Sequence, residues 1–236
     1  MSSLRKTSLV AGVFYLLTFV SIPTLALYGK IHQPDYLLSS VPDADTILGA
    51  VLEIIVALAC IGSAVVLYPV LRKQNESAAL ALVSARVLEA STIFLGVAFL
   101  LTVVGLRQSG AGADALVASH TLVILYDRVF LIGQSLMPAI NDLLLGFLFY
   151  HSRLIPRSLS IVGIIGGPLL LVGDGLVLFN VIGQHAPTTS LFAIPVALFE
   201  LILGIWLVAK GFSSEPKPID PVQNLYQLSK PVVEFE

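Results

Sequence analysis

Hydrophobic residues along this chain fall into six long blocks separated by short polar segments. The blocks cover residues 7–27, 46–71, 78–106, 128–150, 159–182 and 191–209. One helix needs about 20 apolar residues to cross a bilayer core, so each block is long enough to cross once. The blocks lack the alternation of barrel strands, and a lipid-exposed backbone must satisfy its own polar groups. The pattern therefore predicts an all-α, integral membrane bundle of six transmembrane helices. A moderately apolar stretch at 115–126 leads into the fourth helix and is expected to lie at the membrane interface.

Composition agrees with this interpretation and excludes several classes of function. The chain is 56% hydrophobic and only 12% charged, which is unlike a soluble domain. A net charge of -2 without a basic stripe excludes a nucleic-acid partner. The single cysteine, Cys60, excludes an intrachain disulfide and a multi-cysteine metal site.

Basic residues in the connections predict the orientation. One side of the predicted membrane holds Arg5, Lys6, Arg72, Lys73, Arg153, Arg157, Lys210, Lys217 and Lys230. The other side holds Lys30 and Arg107, with Arg128 near its edge. Because lysine and arginine accumulate in cytoplasmic loops, we expect both termini to be cytoplasmic, in the inner (plasma) membrane. Two termini on one side require an even number of spans, as the hydropathy pattern also predicts.

The domain organisation is simple. Residues 1–211 form the predicted six-span transmembrane domain, and the lipid bilayer is its first partner. Residues 212–236 are polar and proline-rich. We expect this segment to be a disordered cytoplasmic tail, because it offers little apolar surface to bury.

Four phrases carry a resemblance to a known family. They are "VVLYPVLRKQN" at the end of the second block, "SARVLEA" in the third, "NDLLLGFLFYHSRLIPRSLSIVG" between the fourth and fifth, and "FELILGIWLVAKGF" in the sixth. Their order resembles the bacterial domain-of-unknown-function family 4386 (DUF4386), a group of small multi-pass membrane proteins. The resemblance extends to about residue 212. It implies the membrane fold and brings no established activity with it.

Polar side chains inside the apolar blocks are the candidate functional residues. A charged group at the bilayer centre costs about 2.5–3.5 kcal/mol on insertion scales, so it normally faces the bundle interior or a water-filled cavity. We therefore hypothesise that these residues bind a substrate or an ion: Arg86, Glu89, Asp142, Asn141, Gln134, Glu200, Glu53 and Asp174.

Spacing and depth predict how these residues are arranged. In the fourth block, Asp127, Gln134 and Asn141 recur every seven residues, as do Arg128, Ser135 and Asp142. Seven residues make about two helical turns, so they form one polar stripe that should avoid lipid. From their depths, one cluster is expected to contain Arg86, Glu89, Asp142 and Glu200, and a second layer nearer the outer edge is expected to contain Glu53 and Asp174.

The charge balance of the interior favours proton or cation handling. Five buried carboxylates share the predicted interior with one arginine. Those that Arg86 does not neutralise should be protonated, hydrated or paired with a bound cation. The alternative is a purely structural role, in which the carboxyl and amide groups only hold the helices together.

Proline and glycine mark other special positions. Pro23 and Pro138 interrupt the first and fourth blocks, while Glu53 and Asp174 lie at similar depths in the second and fifth. These pairs are compatible with two inverted three-helix halves. The "GIIGGP" run, residues 163–168, can either kink the fifth helix or allow close packing, and we favour packing.

Catalytic and metal motifs are missing from the sequence. No mid-membrane histidine pair for haem and no H-E-x-x-H motif is present. Three histidines fall in outer segments near several aspartates, and they are His32, His120 and His185. Because loop histidines are more often unliganded, we predict no metal, no cofactor and no catalytic residues.

Three functions remain open at this point. The favoured one is a small proton- or cation-coupled transporter that carries an unknown small molecule or cation. The second is a sensor, binding or accessory protein without catalysis, associated with a membrane-protein partner or with further copies of itself. The third is an intramembrane enzyme that modifies lipids with a buried acid or base.

Overall fold

The computed structural model describes residues 2–213, and its regular secondary structure over this range is entirely helical. The α-helices are Ser3–Leu17, Thr24–Leu27, Ala44–Leu71, Glu76–Gln108, Leu116–Phe130, Met137–Ser152, Arg157–Leu178 and Pro187–Ala209. Short 3₁₀ turns lie at Thr18–Ser21, Tyr36–Leu38 and Gly112–Ala115, and a π-helical segment lies at Leu131–Leu136. Most of the expected disordered tail, residues 214–236, lies outside the described residues.

Six helical segments are long and apolar enough to cross a membrane. They are Ser3–Leu27, Ala44–Leu71, Glu76–Gln108, Gly112–Ser152, Arg157–Leu178 and Pro187–Ala209, numbered here as the first to sixth spans. This confirms the predicted six-helix architecture.

The fourth span differs from its predicted bounds. The stretch at 115–126 is continuous with it, giving one helical segment of 41 residues. At 1.5 Å per residue it is about 60 Å long, so it extends beyond a hydrocarbon core of about 30 Å. The predicted fourth block began only at residue 128 because polar residues such as Ser119 and His120 lower the hydropathy without breaking the helix.

The six spans form a closed ring. Each span packs against its neighbours in sequence, and the sixth packs against the first. The ring closes through a close backbone approach, because a Cβ atom added at Gly12 would lie 2.8 Å from the carbonyl oxygen of Gly204. Glycine also allows close packing in the fifth span, which stays helical through Pro168. There Gly163 faces Phe199, which confirms that the "GIIGGP" run serves packing.

Two spans depart from α-helical geometry just before a proline. The first span becomes 3₁₀ at Thr18–Ser21, ahead of Pro23, and the fourth becomes π-helical at Leu131–Leu136, ahead of Pro138. Proline has no backbone N–H and disrupts the hydrogen bonding of the preceding turn. The prolines were visible in the sequence, but the π segment was not.

The two ends of the ring differ. We call the end that carries residues 2 and 213 the terminal end, and the opposite end the distal end. At the terminal end, the Arg5 guanidinium donates to the carbonyl oxygens of Leu207 and Val208, at 2.8 and 2.5 Å. At the distal end, Lys30 pairs with Asp45 at 2.8 Å, and Arg107 pairs with Asp43 at 2.7 Å.

A large apolar core fills the terminal half of the ring. All six spans contribute to it, and we call it the terminal core. Its buried residues include Ala11, Tyr15, Leu67, Leu71, Ala79, Leu82, Leu145, Phe149, Leu159, Phe199, Leu203 and Leu207. The buried ionisable residues Glu53, Arg86, Glu89, Asp142 and Asp174 lie between this core and the distal end.

Candidate functional site

Arg86 lies at the centre of the buried polar residues. Its side chain is only 1% exposed. One guanidinium nitrogen, Nη1, donates to Glu89 Oε2 at 3.2 Å, and the other, Nη2, donates to Glu200 Oε1 at 2.5 Å. A single arginine thus pairs with one carboxylate on its own helix and one on the sixth span.

Three further spans reach this arginine and its carboxylates. The Tyr15 hydroxyl of the first span accepts a hydrogen bond from Arg86 Nη2 at 3.1 Å, and its ring centre lies 5.1 Å from the guanidinium carbon. Cys60 Sγ of the second span lies 3.6 Å from Nη1. Asn141 Nδ2 of the fourth span donates to Glu89 Oε2 at 2.7 Å. With Asp142, these residues form what we call the central cluster: Tyr15, Cys60, Arg86, Glu89, Asn141, Asp142 and Glu200.

Asp142 is the least satisfied member of the central cluster. The residue is fully buried, and neither carboxylate oxygen has a hydrogen-bond partner in the described part of the chain. It interacts electrostatically with Glu200, Arg86 and Glu89. The cluster therefore contains three carboxyl groups and one guanidinium, so fully ionised carboxylates would leave two negative charges uncompensated.

Side chains of the π-helical segment donate hydrogen bonds to the other two interior carboxylates, Glu53 and Asp174. Gln134 Nε2 donates to Glu53 Oε1 at 3.3 Å, and the Tyr126 hydroxyl donates to the same oxygen at 2.8 Å. The next residue, Ser135, donates to Asp174 Oδ1 at 2.6 Å. Adjacent residues of the fourth span thus bind carboxylates on two different spans, the second and the fifth.

The predicted polar stripe of the fourth span is interrupted. Gln134, Asn141 and Asp142 are sheltered by protein, but Arg128 is exposed. The heptad argument assumed an unbroken α-helix, whereas the wider π turn changes the phase between residues before 131 and those after 136. The stripe is therefore not one continuous buried face, and Arg128 lies on an exposed side of the helix near the distal end.

A cavity of about 780 Å³ runs from the distal end into the ring. Residues of all six spans line it. His32, Gln184 and His185 lie at the distal mouth, and Glu89 and Glu200 of the central cluster lie at the base. This volume falls within the range typical of small-molecule sites, about 300–1,000 Å³. Hydropathy carried no signal for the cavity, because most of its lining is apolar.

The three outer histidines lie in two different places at the distal end. His32 and His185 approach Asp127, with Nε2 to Oδ1 distances of 3.1 and 3.5 Å. His120 lies apart, with Nε2 3.0 Å from the carbonyl oxygen of Pro34. Hydrogen bonding to Asp127 raises the pKa of His32 above its usual value, against the opposing effect of burial.

Comparison with known proteins places the chain in a family. No curated protein and no solved structure matches the sequence significantly. The profile of the family described as "Domain of unknown function (DUF4386)" matches residues 10–211. This match covers most of the first span and all of the other five, and it agrees with the resemblance carried by the four phrases above. The chain is therefore a multi-pass membrane protein that belongs to the DUF4386 family.

Proposed function

We propose that this protein is a small proton- or cation-coupled transporter that binds its substrate in the distal cavity. The observation that carries the proposal is that the cavity connects the distal end with Glu89 and Glu200 at the central cluster. A purely structural cluster would need no such access.

The charge of the central cluster supports coupling to a proton or cation. Arg86 can compensate one of three carboxylates, and an uncompensated charge inside a bilayer is expensive. A proton or a small cation would restore neutrality. Its binding and release would then change the electrostatics at the base of the cavity, where the substrate would lie.

The shape of the interior is the one expected of a transporter in one state of an alternating-access cycle. The cavity is open at the distal end, while the terminal core lies between the cluster and the other end. The two non-α segments contribute Thr18, Gln134 and Ser135 to the cavity lining. Interrupted helices next to a midplane site are a recurring feature of secondary transporters.

We also propose that both termini are cytoplasmic, in the plasma membrane. Lys30 and Arg107 at the distal end are paired with aspartates, whereas Lys73 and Arg153 at the terminal end are exposed. Lysine and arginine are also more numerous at the terminal end than at the distal end, and the positive-inside rule assigns the richer side to the cytoplasm. Labelling of K73C only after cell permeabilisation, and of K30C in intact cells, would support this orientation; the reverse pattern would overturn it.

Transport can be tested in proteoliposomes that contain a trapped pH-sensitive dye. A panel of organic cations, monovalent metal ions and small zwitterions would be added one at a time, and internal pH would be followed. We expect at least one compound to move protons in a way that E200Q abolishes. E76Q is the matched control, since Glu76 is exposed at the start of the third span. Flux that E200Q leaves intact would contradict the proposal, as would no flux across the panel.

One observation favours a second candidate, a ligand-binding sensor or accessory protein. His32, Gln184 and His185 line the cavity at the distal end, where a receptor would admit its ligand. Saturable binding of a compound without flux, together with a membrane-protein partner that co-purifies in fixed stoichiometry, would support this candidate over transport.

A further inference from the structure

We infer that the distal mouth of the cavity contains a binding site for a divalent transition metal ion of the Zn²⁺ type, formed by His32, Asp127 and His185. This site is separate from the central cluster and does not depend on the proposed transport function. Its donor atoms are His32 Nε2, His185 Nε2 and a carboxylate oxygen of Asp127, and they all lie within 4.8 Å of one another.

The distances fit a tetrahedral ion. Zn²⁺ binds imidazole nitrogen and carboxylate oxygen at about 2.0–2.2 Å, which places neighbouring donors about 3.3 Å apart in a tetrahedron. The Asp127 oxygen lies 3.1 Å from His32 Nε2 and 3.5 Å from His185 Nε2. Only small side-chain movements would be needed to place an ion between the three groups.

A second observation concerns the orientation of His32. Its other ring nitrogen, Nδ1, lies 2.7 Å from the carbonyl oxygen of Tyr28. That carbonyl can only accept, so Nδ1 carries a hydrogen and Nε2 is the nitrogen that faces Asp127. Nε2 donates its own hydrogen to the Asp127 carboxylate, and a bound metal ion would replace that proton. Metal-binding histidines are oriented in this way by backbone carbonyls or carboxylates.

The donor set defines the class of ion. Two imidazoles and one carboxylate suit Zn²⁺, Co²⁺, Ni²⁺ or Fe²⁺, whereas Mg²⁺ and Ca²⁺ prefer oxygen ligands. Three protein ligands leave at least one coordination position free for water or another small ligand. His32 and His185 line the cavity, so that position is available from its mouth.

The ligands come from three separate parts of the chain. His32 lies in the connection after the first span, Asp127 in the fourth span, and His185 in the connection before the sixth. A bound ion would therefore link three elements around the mouth and restrict their relative movement.

The inference can be tested with the full-length protein in detergent, by calorimetric titration with ZnCl₂ and by the visible absorption of Co²⁺. We expect one Zn²⁺ per chain, and a loss of affinity of at least about tenfold in each of H32A, D127N and H185A. The Co²⁺ spectrum should show the intense bands of tetrahedral coordination, and Mg²⁺ should not compete.

H120A is the matched control, because His120 lies at the same end of the bundle but outside the three-residue site. It should bind Zn²⁺ like the wild type. H185A should fold like the wild type, because the His185 side chain is 69% exposed and its removal leaves no cavity in the core. A loss of Zn²⁺ affinity in H185A can therefore be attributed to the missing ligand. Equal Zn²⁺ affinity in the wild type and H185A would overturn the inference, as would an effect of H120A as large as that of H185A. Wild-type protein that binds no Zn²⁺ would overturn it as well.

Discussion

Arg86 and Glu200 are 114 positions apart in the chain, and their side chains form a 2.5 Å ion pair where the cavity ends. The pair joins the third span to the sixth. Because Glu200 also lines the cavity, the same contact connects the buried charges with the space that a ligand would occupy. Removing either partner should therefore affect both stability and the chemistry of the cavity.

Replacement of Arg86 should strongly destabilise the protein. R86M leaves the carboxylates of the central cluster without a cation, and breaking a buried ion pair in this way costs about 3–5 kcal/mol. Unfolding in detergent by heat or denaturant measures the loss. The double variant R86M/E200Q should lose less than the sum of the single variants, with a coupling of about 0.5–3 kcal/mol. Additive losses would show that the two residues do not stabilise each other.

Neighbouring positions in the fourth span should respond in opposite ways. Asn141 donates a 2.7 Å hydrogen bond to Glu89, so N141A should lose about 1.5–3 kcal/mol of stability. Asp142 has no hydrogen-bond partner among the described residues, so the nearly isosteric D142N should be neutral or stabilising. The two free energies of unfolding can be compared in one detergent. A D142N variant that loses as much as N141A would mean that the Asp142 carboxylate makes an essential contact.

Closure of the ring should depend on Gly12. In G12A the new Cβ would meet a backbone oxygen of Gly204, which cannot move without shifting the helix, so we expect a loss of about 1–3 kcal/mol. G105A is the control, because a Cβ at Gly105 meets nothing within 4 Å. Alanine is the better helix former, so G105A should be neutral or slightly stabilising. Equal unfolding temperatures for G12A and wild type would contradict the close approach of the first and sixth spans.

Zinc affinity should fall as the pH is lowered. The pKa of His32 is raised by Asp127, so its protonated form, paired with Asp127, persists to a higher pH than in an ordinary histidine, whose pKa is about 6.5. Protons and metal compete for the same nitrogen, and binding must therefore release protons. Calorimetric titrations at pH 8, 7 and 6, in buffers of different ionisation enthalpy, would measure both effects. An affinity that stays constant or increases towards pH 6 would contradict this account of the site.

The sequence predicted the architecture because its signals are local. Each span is long and apolar enough to be recognised alone, and the cost of burying a charge applies to Arg86 or Glu200 whatever its partners are. The closed ring, the cavity and the pairing of Asp127 with His185 depend on contacts between distant segments, so hydropathy could not reveal them. The π turn escaped prediction for a different reason: Pro138 signals a disturbed helix but does not fix its type or its phase.

The central claim is that the cavity gives water access from the distal end to the central cluster, and thiol accessibility tests it most directly. Ala193 lines the cavity seven residues before Glu200, and the native Cys60 is buried, so the background should be low. A193C should react with a membrane-impermeant thiol reagent applied at the distal side, whereas A79C, in the terminal core, should react from neither side. An A193C variant that is inert to the distal reagent, or that reacts only from the terminal side, would contradict the claim.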